Sequence, residues 1–223
     1  MKHTHDRYIN HKMLECISRP QYENGCSIAS LTAVFNFLYA EQLGGMRSTQ
    51  ELVSIMGLKV DDIGTKLNAG NKTVMGWFDK LTKHFKLQGS SSIYLSAKDV
   101  KDYSRNSTVI SQFKDDIAKG DSAFIYHMEN HYNVVIGYFE HSASPSTAYD
   151  KSSELQRWIV LGEHSEYNPI TAWMRGMVAF ISEDLANKIQ DKMAGPIWSR
   201  RWRSIRHDLL KSPNHCIMVF TKQ

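Results

Sequence analysis

The sequence predicts an α+β protein in which N-terminal helices precede a mostly antiparallel sheet. Apolar residues recur at three- and four-residue spacing in the first half of the chain, which is typical of helices. Short β-branched and aromatic runs fill much of the second half, and two of them are three residues apart, as in a hairpin. The 223 residues include 42% apolar and 22% charged residues, so a sizeable core can form without disulfides.

The helices of the first half are predicted from their apolar spacing and from capping residues. Ser48 or Thr49 can cap the second helix and Gly57 can end it, whereas Gly120 ends the fourth. The four predicted helices span residues 27–40, 48–57, 71–85 and 109–120, and a short strand spans residues 91–95.

The second half is predicted to form strands around one hairpin. Met128, Glu129 and Asn130 separate the two hairpin strands, residues 122–127 and 131–139. Further strands are expected at residues 157–163 and 215–220, a flexible loop at 142–153 and mixed helix at 168–193.

The N-terminal residues and the number of cysteines indicate the domain organisation and the cellular compartment. Residues 1–12 are polar and are predicted to be a flexible tail, and no strong linker divides the single domain expected over residues 13–223. Three cysteines without a CxxC pair argue against a secreted disulfide scaffold. The first residues lack the apolar segment of a secretory signal, and no apolar run is long enough for a membrane span. The expectation is an intracellular protein of the cytoplasm or nucleus with no membrane partner.

Cys26 is the first candidate functional residue, because it precedes an apolar helical run and follows the turn signal Asn24-Gly25. A helix N-terminus stabilises a thiolate through unpaired N–H groups and the helix dipole. The alternative is a buried structural cysteine, since free cysteines are among the most buried residues.

His131 is the candidate base for Cys26, because it begins a predicted strand that can hold its imidazole in place. Its spacing from His127 is that of a helical zinc pair, but strands flank both residues, so the sequence favours the base over zinc. No phosphate-binding glycine loop or dinucleotide fingerprint is present, and no cofactor is expected.

Two further residues complete a candidate catalytic set. Glu163 follows a predicted strand and can accept a hydrogen bond from the imidazole, with His164 and Asn168 as alternatives. Gln21 lies five residues before Cys26 and can join the Cys26 backbone N–H as an oxyanion donor, or it is a solvated loop amide.

This chain order resembles the papain-like cysteine hydrolases, in which the cysteine begins a helix and the histidine lies on a later strand. The resemblance implies a papain-like fold and a Cys-His-Glu triad acting on an amide or ester carbonyl. The chain departs from the pattern in two places. Papain-like enzymes usually place the glutamine six residues before the cysteine, and they carry Asn or Asp where this chain has Glu163.

A closer resemblance is to the basic immunoglobulin-like variable motif-containing protein family. It is carried by "CISRPQYENGCSIASL", "FNFLY", "AFIYHMENHYNVVIGYFE", "RWIVLGEHS" and "HCIMVF", in that order along the chain. The family match covers Cys26, His131 and Glu163, but it implies no established reaction. Family members carry Gly where this chain has Ser27. The family name implies an immunoglobulin-like fold, which the helical runs of this chain do not suit.

A basic segment near the C-terminus provides a second functional hypothesis. The chain has a formal net charge of +4, and residues 196–211 hold five basic residues against one acidic residue. Trp198, Trp202, Ile205 and Leu209 form one helical stripe, so a core-packing helix with a solvated basic face is the simpler interpretation. The candidate polyanion contacts are Arg200, Arg201, Arg203 and Arg206.

The sequence therefore favours a papain-like thiol hydrolase or acyltransferase acting on a peptide, protein or other amide-containing substrate. It leaves peptidase, deamidase, transglutaminase and isopeptidase activities as alternatives. The competing hypothesis is a non-catalytic module of the same fold whose basic helix binds an acidic partner or nucleic acid.

Overall fold

In the computed structural model, the described strands form one antiparallel sheet, and helices pack on it. The structure describes residues 6–17, 25–61, 63, 69–96, 112–128, 131–142, 146, 155–162, 178–182 and 216–223. The helices are α1 (His11–Glu15), α2 (Cys26–Tyr39), α3 (Thr49–Met56), α4 (Asn71–His84) and α5 (residues 112–119). The strands are β1 (Asp6–Ile9), β2 (Gly89–Ser96), β3 (Ser122–Met128), β4 (His131–Ser142), β5 (Leu155–Gly162), β6 (Val178–Ser182) and β7 (Cys216–Lys222).

The strand order is β2-β7-β3-β4-β5-β6, and every described pair is antiparallel. β1 pairs with β4 beyond the end of β3, because β3 covers His131 to Val134 and β1 covers Gly137 to Glu140. The predicted α+β class, with N-terminal helices followed by a mostly antiparallel sheet, is confirmed. The described elements do not form an immunoglobulin-like sandwich of two packed sheets.

Helix α2 is the centre of the core, and all fourteen of its residues are buried. It packs on the β3, β4 and β7 side of the sheet together with α3 and α4. A helix that is surrounded on all sides must be apolar all round, and its few polar residues need partners. Asn36 satisfies this rule, because its side chain exchanges hydrogen bonds with the backbone of Arg47 at 3.0 and 2.8 Å.

The opposite face of the sheet carries a second, smaller core. Phe113 and Ile117 of α5 pack there against Phe124, Tyr126 and neighbouring strand residues. Phe113 meets Phe124 edge to face, with ring centroids 4.6 Å apart. The sheet is therefore buried on both faces where β3 runs through its middle.

The four predicted helices are present in the structure, with ends that differ by up to three residues. Ser48 caps α3 by accepting a hydrogen bond from the Glu51 N–H, and Gly57 ends it with a positive φ of 80°. The predicted helix at 109–120 is confirmed over residues 112–119. Of the other elements, the hairpin and the strands at 91–95, 157–163 and 215–220 are present, with ends shifted by one to three residues.

Two predictions differ from the structure. Residues 6–12, expected in a flexible tail, include strand β1, whose four residues pair with β4, and the start of α1. Residues 178–182, expected in mixed helix, form β6 because "VAFIS" is rich in strand-forming residues and pairs with β5. Residues 1–5 and most of the predicted loop at 142–153 lie outside the described residues.

Candidate active site

Cys26 is the first residue of α2, which begins one residue before the predicted start of that helix. Gly25 is the N-cap and has no side chain to bond the free N–H groups of the first turn. The Ser27 N–H instead forms a hydrogen bond with the Cys26 sulfur. Cys26 is 8% exposed and belongs to the buried core.

His131 lies opposite Cys26 at the beginning of β4. A side-chain hydrogen bond joins the two residues, and the half-buried imidazole also interacts with the sulfur through its charge. Burial disfavours the thiolate, but the bonds from His131 and from the Tyr132 and Ser27 backbones outweigh it. The pKa of Cys26 is consequently lowered from its ordinary value of 9.0.

The other two cysteines show what burial does without such donors. Burial raises the pKa of Cys16 to about 11, and it raises the pKa of Cys216 to about 11 despite a hydrogen bond from Asn71. All three cysteines are buried and form no disulfide. Cys26 is thus the cysteine whose surroundings favour the reactive anion.

Ser30 connects the nucleophile helix to the histidine strand. It lies one turn after Cys26, and its hydroxyl donates to the Tyr132 carbonyl oxygen at 3.0 Å. Tyr132 directly follows His131, so this bond fixes the start of β4 against the start of α2.

The Tyr132 side chain lies in a polar cluster with three other residues. We call these four residues, Asn71, His127, Tyr132 and Cys216, the Asn71 cluster. The Tyr132 hydroxyl donates to the Ala69 carbonyl at 2.7 Å and lies 3.2 Å from Asn71 Oδ1. Asn71 Oδ1 is 2.6 Å from His127 Nδ1, and Asn71 Nδ2 donates to the Cys216 sulfur at 3.1 Å. The rings of His127 and Tyr132 stack with centroids 3.9 Å apart.

Strand register explains why this cluster forms. His127 of β3 pairs with Cys216 of β7 on one side and with Tyr132 of β4 on the other. Residues directly opposite each other point to the same face of a sheet, so the three side chains form a row facing α2 and α4. Burial, followed by repulsion from the Cys216 and Cys26 thiolates when these form, raises the pKa of Tyr132, which therefore stays a neutral donor.

The histidine pair considered for zinc lies on strands, as expected. His127 belongs to the Asn71 cluster and His131 to Cys26, so the helical geometry of an HxxxH site is absent. Within the described ranges, no group of three or more His, Cys, Asp or Glu residues is placed to hold a metal ion.

Several predicted site residues lie outside the described residues. They are Gln21, Glu163 with its alternatives His164 and Asn168, and the basic segment with Arg200, Arg201, Arg203 and Arg206. The structure thus brings together Cys26 and His131 of the candidate catalytic set.

Sequence reasoning missed Ser30, Asn71 and Tyr132. Ser30 carries one readable signal, because it is a hydroxyl within an apolar helix one turn after a candidate nucleophile. Asn71 carries none, since its partner Cys216 is 145 residues away.

The sequence model of the family described as "Basic immunoglobulin-like variable motif-containing protein" matches residues 4–223. The chain belongs to this family. Proteins of that name from Xenopus tropicalis and Homo sapiens are each 31% identical, over 169 and 170 residues, which cover 69% of this chain and 33% of those proteins. A protein of the same name from Giardia intestinalis is 33% identical over 146 residues, 60% of this chain and 48% of that protein.

The chain spans about a third of the length of the vertebrate relatives that it matches. A solved structure, "Crystal structure of UfSP from C.elegans", aligns with 97% of this chain and 32% of that one, at a TM-score of 0.47 and 10% identity. At that TM-score the likeness carries no weight for the chemistry of this chain. No described helix is both long and apolar enough to cross a membrane.

Proposed function

We propose that this chain is a papain-like thiol hydrolase or acyltransferase acting on an amide or ester carbonyl. The observation that carries the proposal is the contact between Cys26 at a helix N-terminus and His131 at a strand start. That contact lowers the pKa of Cys26 while the other two cysteines are held as thiols. A thiolate beside an imidazole is the arrangement that nucleophilic catalysis by cysteine needs.

In the proposed reaction the Cys26 thiolate attacks the carbonyl carbon and forms a carbon–sulfur bond. The resulting oxyanion is held by the Cys26 backbone N–H and by Gln21. Collapse breaks the bond to the amine or alcohol, which leaves with a proton from His131. His131 then takes a proton from water or another acceptor, whose oxygen or nitrogen attacks the thioester and releases the thiolate. Glu163 is proposed to orient the imidazole.

An activated ester tests this mechanism without knowledge of the substrate. We expect 4-nitrophenyl acetate to give a burst of nitrophenolate equal to one acetyl group per chain, located on Cys26 by peptide mass mapping. His131→Ala should acetylate and deacetylate slowly, whereas Cys16→Ala should behave like the parent. Acetylation of Cys26 no faster than that of Cys16 or Cys216 would contradict the proposal.

A second candidate function is an interaction module that uses the basic segment. It is favoured by the five basic residues within residues 196–211, which hold as much net positive charge as the whole chain. Such a module should bind heparin or RNA, and binding should weaken as salt rises. Replacing Arg200, Arg201, Arg203 and Arg206 with Gln should abolish this binding; salt-independent or unchanged binding would refute it.

A further inference from the structure

At the beginning of β4, residues of helix α2 form the backbone hydrogen bonds that a neighbouring strand would otherwise form. The Tyr132 backbone forms a hydrogen bond with the Cys26 sulfur, and the Tyr132 carbonyl accepts from the Ser30 hydroxyl at 3.0 Å. The N–H and C=O of one strand residue point to the same edge of the strand. Because the described pairing of β5 with β4 ends at Val134 and Gly162, the edge at Tyr132 is taken by α2 instead.

The side chain of Tyr132 is also held, by a hydrogen bond and by ring stacking. Its hydroxyl donates to the Ala69 carbonyl at 2.7 Å, and its ring stacks on His127, which Asn71 holds at 2.6 Å. Tyr132 is 2% exposed and His127 is also 2% exposed, so these bonds are shielded from bulk solvent. The backbone and the side chain of Tyr132 are therefore fixed by two different helices, α2 and α4.

This double attachment has a consequence for the candidate catalytic pair. His131 is covalently joined to Tyr132, so the position of its Cα follows that of Tyr132. The Tyr132 N–H, which meets the sulfur, lies in the peptide plane between His131 and Tyr132, as does the His131 Cα. A shift of this plane therefore moves two donors to Cys26 at once, the His131 side chain and the Tyr132 N–H.

We propose that Ser30, Asn71 and Tyr132 are positioning residues that hold His131 and the Tyr132 N–H against the Cys26 sulfur. This inference rests on the proposed function and adds the residues on which the reactivity of Cys26 depends. Ser30 acts from within the nucleophile helix, and Asn71 acts from the start of α4 through the Tyr132 ring.

The test is the pH profile of Cys26 alkylation by iodoacetamide in Ser30→Ala and Tyr132→Phe, with the alkylated residue located by mass spectrometry. Loss of one hydrogen bond should raise the apparent pKa of Cys26 by about 0.5–1 unit in each variant. Ser30→Thr, which keeps the hydroxyl, should restore the profile of the parent.

Tyr39→Phe is the matched control. Tyr39 lies at the opposite end of α2, is fully buried and donates its hydroxyl to the Gln88 carbonyl at 2.8 Å. It therefore loses the same kind of bond as Tyr132→Phe. We expect a similar loss of stability in the two variants but a shifted alkylation profile in Tyr132→Phe alone.

The outcomes separate this inference from the proposed function. A parent profile that depends on His131, together with parent-like profiles in Ser30→Ala and Tyr132→Phe, would overturn the positioning role and leave the proposed function standing. A shift of equal size in Tyr39→Phe would also overturn it. An ordinary, His131-independent thiol in the parent would overturn the proposed function itself. If Ser30→Ala fails to fold, Tyr132→Phe carries the test, because it keeps the ring and its stacking.

Discussion

Replacing His131 with Ala should leave a buried Cys26 whose thiolate is stabilised only by the Tyr132 and Ser27 backbones. Burial raises the pKa of Cys16 and Cys216 to about 11, whereas the pKa of Cys26 lies below 9.0 in the parent. Loss of the His131 hydrogen bond and charge should therefore raise the pKa of Cys26. At a pH below that pKa, each unit of rise reduces the thiolate fraction about 10-fold.

The observed rate should fall less than the thiolate fraction. A thiolate of higher pKa is the better nucleophile, with a Brønsted coefficient of about 0.4–0.5, which returns a factor of about 2.5–3 for each pKa unit. The net prediction is a decrease of about 3–4-fold in the rate of thiol–disulfide exchange for each unit by which the pKa of Cys26 rises.

The assay is the reaction of folded protein with an aromatic disulfide, followed by the release of its thiol and by mass mapping of Cys26. His84→Ala is the control, because His84 is an exposed histidine in the last turn of α4. It should react like the parent. A folded His131→Ala protein that exchanges at the rate of the parent would refute the reasoning.

Three further predictions concern stability, each measured by urea denaturation. Ser48→Ala should lose about 1 kcal/mol, since its hydroxyl caps α3; an unchanged midpoint would contradict this. Gly137→Ala should lose about 1–3 kcal/mol, because a Cβ there would meet the Tyr8 carbonyl of β1; a stabilised variant would contradict the close approach. Burial raises the pKa of Cys16 and Cys216 from 9.0 to about 11. The stability that these neutral thiols contribute should therefore be complete below pH 9.0 and disappear as pH rises towards 11. Cys16→Ala should reduce this alkaline loss of stability, and an equal loss in both proteins would contradict the assignment.

Local signals explain which elements the sequence predicts well. Helix α3 carries its own cap and stop, Ser48 and Gly57, and α2 carries apolar residues at helical spacing after the turn signal Asn24-Gly25. Cys26 and His131 are predicted as partners because each lies at the end of an element whose type is clear from sequence. Their order along the chain, cysteine before histidine, then resembles the order in papain-like cysteine hydrolases.

Non-local contacts explain what the sequence does not reveal. β1 is four residues long and polar at its start, and only its pairing with residues 137–140 makes it a strand. The Asn71 cluster joins residues 71, 127, 132 and 216, which become neighbours only when the register of β3, β4 and β7 is known. Spacing along one chain does not encode that register.

The lowered pKa of Cys26 is the central claim, and the ultraviolet absorbance of its thiolate measures it most directly. The difference spectrum between the parent and Cys26→Ser should be followed against pH and repeated in a His131→Ala background. We predict a Cys26-dependent thiolate band that titrates below 9.0 and moves to higher pH when His131 is replaced. A band that appears only above 9.0 in the parent, and at the same pH without His131, would contradict the account.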